Sequence, residues 1–179
     1  MDFLDILNDK AFLGREFLTW LWFKSDQSAG RIEIPGKKVV EVLFLDRMTL
    51  DLSDVETPQT VALKGEYSEL REGLAALKEG KKIEEARVSV RVADNDFTML
   101  LKATWFSFGS LRTPPILPAS EADEEEPIEG AFLEKVSLIE ESMEIVDSLF
   151  EYFLKLRASD RWETEELPAL RSWVGSTSG

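Results

Sequence analysis

An α+β fold is predicted for this chain, an antiparallel sheet packed with helices and completed by a long C-terminal amphipathic helix. Three patterns predict it. Ala86, Val88, Val90 and Val92 alternate with Arg87, Ser89 and Arg91, the two-residue period of a strand with one buried face. Phe132, Val136, Ile139, Met143, Val146, Phe150 and Phe153 are spaced by alternating fours and threes, the period of a helix with one apolar stripe. Between residues 11 and 26, five of sixteen side chains are aromatic, in a chain that is 10% aromatic overall. Residues 1–112 are expected to form an α+β domain, 113–130 an acidic, Pro-rich linker, and 131–174 C-terminal helices packing on the same core.

Residues 2–24 read as helical, with a possible break at Gly14. Phe12, Leu13, Phe17, Leu18, Leu21 and Trp22 share a broad face, while Trp20 and Phe23 lie off it, so the helix is apolar almost all round. Such a helix is buried on two sides or docks onto a partner. One face on a single sheet would not cover Phe12, Phe17, Trp20, Trp22 and Phe23, and exposed aromatics invite association. The expectation is therefore contact with a second chain, with Trp20 pointing towards it.

Arg31–Ile34 alternates, and Pro35-Gly36 has the order of a type II turn, leading to an apolar run from Val39 to Leu45. Met48, Leu50 and Leu52 suggest a half-exposed strand, and a loop through Pro58 leads to another at Thr60–Leu63. Ser68–Glu79 carries Leu70, Leu74 and Leu77 on one stripe and ends before Gly80, a helix with a favoured terminus. Asp94-Asn95 predicts a tight turn joining the Ala86–Val92 strand to one running from Phe97 to Phe108. Glu124-Glu125-Glu126 and the surrounding prolines mark a solvated spacer. The helix beyond has a stripe too wide for a simple coiled coil and suits packing on the sheet or another helix, a dimer seam being the alternative. Trp162–Val174 reads as a last short helix, with Pro168 tolerable only in its first turn.

The chain has no histidine and no cysteine, which argues against imidazole catalysis, thiolate chemistry and structural zinc. No phosphate-binding glycine loop is present. Glu84, Glu85, Asp94, Asp96 and Lys102 could be assembled into a carboxylate–metal site on paper. Adjacent strand residues point to opposite faces, however, and aspartates favour turns for local reasons. The expectation is a protein without catalysis, cofactor or metal. No apolar run approaches the roughly 20 residues needed to span a bilayer, and Met1-Asp2-Phe3-Leu4-Asp5 lacks the basic start of a signal peptide, so a cytoplasmic location is expected.

Net charge is −14, spread unevenly. Residues 1–112 hold 16 basic and 19 acidic side chains, whereas 113–179 hold 5 and 16. Acidity opposes general attraction to phosphate, yet Lys37, Lys38, Lys81, Lys82, Arg87, Arg91, Lys102 and Arg112 could form a local basic patch in the first part. The bland alternative is a solvated sheet face balanced by Glu84, Glu85 and neighbouring acids.

The block Leu13-Gly14-Arg15-Glu16-Phe17-Leu18-Thr19-Trp20-Leu21-Trp22-Phe23-Lys24-Ser25 resembles the opening of the C-terminal half of RdgC-family proteins. The resemblance continues in order through Asp46–Leu50, Gly80–Ala86, Trp105–Phe108 with Pro114-Pro115, Phe132–Lys135, Ser148–Phe150, Trp162 and Leu170–Val174. Full-length members carry a further half before this block. Members of the family are recombination-associated, nucleoid-located proteins that form ring-like dimers around duplex DNA with little sequence preference. The resemblance thus implies a non-catalytic role at the nucleoid, weak sequence-independent duplex binding, and assembly as a homo-oligomer or with a separate N-terminal RdgC-like subunit. It transfers no particular DNA-contact residue. An acidic protein–protein interaction module without DNA binding is the alternative.

Overall fold

The computed structural model describes residues 9, 11–37, 39–51, 61–63, 68–116 and 127–176. Its elements are α1 (Phe12–Gln27), β1 (Arg31–Glu33), β2 (Val39–Asp51), β3 (Val61–Leu63), α2 (Ser68–Lys78), β4 (Lys82–Val92), β5 (Asn95–Lys102), β6 (Ser107–Arg112), α3 (Pro127–Arg157) and α4 (Leu167–Gly175). The strands form one antiparallel sheet in the order β1-β2-β4-β5-β6, with β3 also paired to β2. This is the α+β class that the alternation and the helical stripes predict.

The type II turn forms as expected. The Lys37 amide donates to the Ile34 carbonyl at 3.0 Å, with Gly36 at φ 74°, where a side chain would be strained. The hairpin β4–β5 is also present, in the register Val92↔Asn95, Val90↔Phe97, Val88↔Met99 and Ala86↔Leu101. Its two turn residues are Ala93 and Asp94, one position earlier than Asp94-Asn95, and Ala93 sits at φ 52°. The seven apolar side chains of these pairs, all but Asn95, bury on one side.

Two strand boundaries differ from expectation. Residues 97–108 are not one strand. The chain folds at Ala103 into a 3-10 turn (Thr104–Phe106) and returns as β6. No Gly or Pro marks this corner; it is held by the Ala103 amide donating to the Glu84 carbonyl at 2.8 Å and by the packing of Phe106. Conversely, 39–51 is a single strand whose register against β4 shifts between Phe44 and Met48, and again between Thr49 and Leu50. The first shift leaves Leu45, Asp46 and Arg47 exposed, while Phe44 and Met48 both remain on the core side.

α1 passes through Gly14 unbroken; residues 1–8 and 10 of the expected helix lie outside the described residues. The glycine is there for close approach. A Cβ at Gly14 would stand 2.2 Å from the Ala103 carbonyl oxygen and 2.7 Å from its Cα. α1 thereby lies directly on the sheet against β4, β2 and β1.

The expectation that α1 needs a second chain is corrected. Phe17, Trp20, Trp22 and Phe23 are all buried within this chain, Trp20 completely, and Phe12 is half-buried. The reason is a third layer. The C-terminal half of α3 crosses the far side of α1, so that Phe17 meets Phe150 and Phe153 edge-on at 5.2 and 5.6 Å, and Trp20 meets Tyr152 and Phe153 at 5.8 and 5.5 Å. α4 adds Trp173, edge-on to Trp22 at 5.1 Å. A helix apolar all round is what a middle layer requires. α3 accordingly packs on α1, the helix-on-helix arrangement that its wide stripe also suits.

Pro168 falls in the first turn of α4, as the sequence requires. Ahead of it the helix widens over Trp162–Glu166, where the Leu167 amide reaches back to the Trp162 carbonyl. A π-turn absorbs a proline that has no amide to give and would crowd the preceding turn.

Candidate functional site: the charged sheet face and the start of α3

All the described helices that pack on the sheet cover one face. On the other face β4 presents Glu85, Arg87, Ser89 and Arg91, β2 presents Glu41, Leu43 and Thr49, and β5 presents Asp96, Thr98 and Lys102, each in register with its neighbours. Alternation places them there, because Ala86, Val88 and Val90 must face α1. Leu43 and Leu45 are exposed apolar residues on β2.

The candidate phosphate contacts divide into two groups. Arg87 pairs with Asp46 at 3.4 Å, and Arg91 with Glu41 at 3.6 Å and Asp96 at 3.3 Å. Arg47, which the sequence reading passed over, pairs with Glu85 at 2.6 Å. Lys81 pairs with Glu79 at 2.9 Å, and Lys37 donates to Ser148 on α3 at 2.6 Å. Lys82, Lys102, Arg112 and Arg31 pair with no acid among the described residues. Lys38 lies outside them. Arg87, Arg91 and Lys102 do share one face, through the Glu85↔Lys102 and Arg91↔Asp96 registers, but acids are interleaved on β2, β4 and β5. The surface is a lattice of exposed ion pairs, each worth about 0–1 kcal/mol and readily exchanged.

The carboxylates considered for metal binding are separated. Glu84 sits at the β4 irregularity and reaches to the helix side, where Arg15 Nε donates to it at 2.5 Å. Glu85 turns to the open side with Arg47. Asp96 accepts from Ser89 at 2.7 Å. Among the described residues no three such groups converge.

A second feature is the stripe on α3. Its lower half is core: Val146, Leu149, Phe153 and Leu156 are buried, and Phe150 stacks on Phe106 at 3.9 Å. Its upper half is not. Phe132 is 64% exposed, Leu133 61% and Met143 48%, with Ile139 also exposed. Beside it, between α3 and the β1–β2 turn, lies an open cleft of about 640 Å³ lined by Glu141, Glu144, Asp147 and Glu151 with Lys37, Ile34, Val40 and Val92. The Glu151 carboxyl is held below its usual range by the hydrogen bond and charge of Lys155.

One buried acid stands apart from both surfaces. Glu166, in the π-turn, accepts from Lys24 at 2.7 Å and from the Trp20 indole at 3.3 Å. No helix among the described residues is long and apolar enough to cross a membrane. Compared with protein-family models, with curated proteins and with solved structures, the chain matches none.

Proposed function

We propose that this chain is a non-catalytic, RdgC-like protein of DNA recombination or nucleoid association, which holds duplex DNA weakly and without sequence preference. What supports this is the ordered resemblance along the sequence, joined to one structural observation: a sheet face free of described helices that carries Arg87, Arg91 and Lys102 together on two paired strands. A flat face with side chains of both signs offers phosphate contacts but no built readout of bases. The cost of exchanging Asp46 or Glu41 for a phosphate is small, because those pairs are exposed.

The test is duplex binding by the full chain as salt is varied. With three phosphate contacts the log–log slope should be about −3. Arg87→Glu combined with Arg91→Glu should abolish binding, whereas charge changes within Glu124–Glu126 should not. Undiminished binding by the double variant would remove the sheet face from the proposal.

A second reading, an acidic protein-interaction module without DNA binding, is favoured by the exposed upper half of α3. Absence of any salt-dependent duplex binding would favour it.

A further inference from the structure

We infer that the exposed upper half of α3 is a docking surface for a basic amphipathic helix of another protein. The inference rests on this helix alone, so it stands or falls independently of DNA binding.

Phe132, Ile139 and Met143 continue the row that becomes Val146 and Phe150 in the core, so the surface is an extension of the packed stripe and not a set of scattered exposures. From Phe132 to Met143 it runs about 16 Å, three turns of a partner helix. Its flanks are unlike. At about 100° per residue, Glu129, Glu140, Glu144, Asp147 and Glu151 fall along one side of the row, and Lys135 alone falls on the other. All of these are exposed. The acidic side leads into the cleft lined by Glu141 and Glu144, which gives the long side chain of a lysine or arginine room to enter. In the sequence, residues 121–144 hold ten acids and one lysine.

This asymmetry selects the occupant. A second copy laid antiparallel would set one acidic row against the other, where like charges repel. Laid parallel, each row would meet only Lys135. A helix with leucine-like residues on one face and cations beside them satisfies both the stripe and the row, and gains electrostatic steering from the −11 balance of residues 113–179.

The experiment uses the full chain and a fluorescent synthetic peptide of about 14 residues with leucines on one helical face and lysines elsewhere, at about 0.15 M salt. A control peptide has the same composition with the leucines scattered. Binding of the amphipathic peptide, with at least about tenfold preference over the control, is expected. Phe132→Gln with Met143→Gln should weaken it about tenfold with the charge unchanged. Glu140→Gln with Glu144→Gln should weaken it and flatten its salt dependence. All four positions are exposed or outside the core, and circular dichroism of each variant against wild type verifies that the fold is kept. Equal affinity for the scattered peptide, or no loss in the apolar variant, would mean only charge attraction and would overturn the inference. So would wild-type self-association that the Phe132/Met143 variant abolishes, because a second copy would then be the occupant.

Discussion

Gly14 is the residue on which the contact between α1 and the sheet depends. Its hydrogen occupies space that Ala103 backbone atoms close off at 2.2–2.8 Å from a would-be Cβ, and backbone cannot give way as a side chain tip can. Gly14→Ala should therefore cost about 3 kcal/mol, the upper end of overpacking penalties, read as a lower urea midpoint; a loss under about 0.5 kcal/mol, typical of a surface change, would show that the contact is looser than described. Ala93 is the opposite case. It holds φ 52° in an exposed two-residue turn, a conformation that costs an L side chain about 1–2 kcal/mol. Ala93→Gly should raise stability by about 1 kcal/mol after the entropy of the new glycine is set against that strain. Phe106 also has positive φ, 41°, but is clamped by its stack on Phe150 and its edge contact to Phe17 at 4.9 Å. Packing offsets strain there, so a glycine at 106 would gain backbone ease and lose far more in aromatic contact.

Among the elements, α1 is where sequence reasoning went furthest and then failed. Periodicity shows a helix that is apolar all round, and that much is legible. Whether its second apolar side meets another molecule or another part of the same chain is decided by residues over a hundred positions away, on α3 and α4, and no local pattern reports it. Trp20→Glu distinguishes the two outcomes. Because Trp20 is fully buried and its indole lies against Glu166, the substitution would bury a second carboxylate beside the first and leave a cavity, a loss above the roughly 3–5 kcal/mol of a large aromatic truncation. The variant should lose its near-UV circular dichroism; a folded Trp20→Glu protein would contradict the middle-layer position of α1. The Ala86–Val92 part of β4 was legible because one face sits on α1 and the other carries no described helix, the arrangement that produces clean alternation, whereas its start at Lys82, across the irregularity between Ile83 and Glu85, was not. The β5–β6 corner was not, because Ala103 and Thr104 carry no turn signal and the corner is imposed by Glu84 and Phe150. α3 combines both situations. A seven-residue repeat runs its length, yet only the half beyond Ser142 is buried, so amides of 130–140 should exchange with solvent orders of magnitude faster than those of 145–156.

For the whole molecule the balance lies between local ion pairing and net charge. The candidate phosphate-binding arginines could be found in the sequence by face, but not their neutralisation, because Asp46 and Glu41 reach Arg87 and Arg91 from a strand some 40–50 residues distant. Long-range register decides which charges meet. Net charge, by contrast, is read directly as −14. The two act in opposite directions when salt is added. Screening weakens the exposed pairs, such as Arg91 with Glu41 and Asp96, Arg161 with Glu165 and Lys155 with Glu151, and each of these contributes only about 0–1 kcal/mol at the outset. The half-buried pairs, Arg15 with Glu84 and Lys24 with Glu166, are screened much less. Screening also relieves repulsion among 35 acids set against 21 bases, most intense where α3 brings Glu140, Glu141, Glu144, Asp147 and Glu151 onto neighbouring turns. That repulsion acts across many pairs at once, within about one Debye length at 0.1 M salt, and it opposes the compact state. Relief should win. The melting temperature at pH 7 should rise as sodium chloride is taken from about 0.02 to 0.2 M, a range over which the Debye length falls roughly threefold. Glu140→Gln with Glu144→Gln should flatten that rise. A melting temperature that falls with salt would mean that the ion-pair lattice on the open sheet face, and not the acidic helix, dominates the electrostatics of folding.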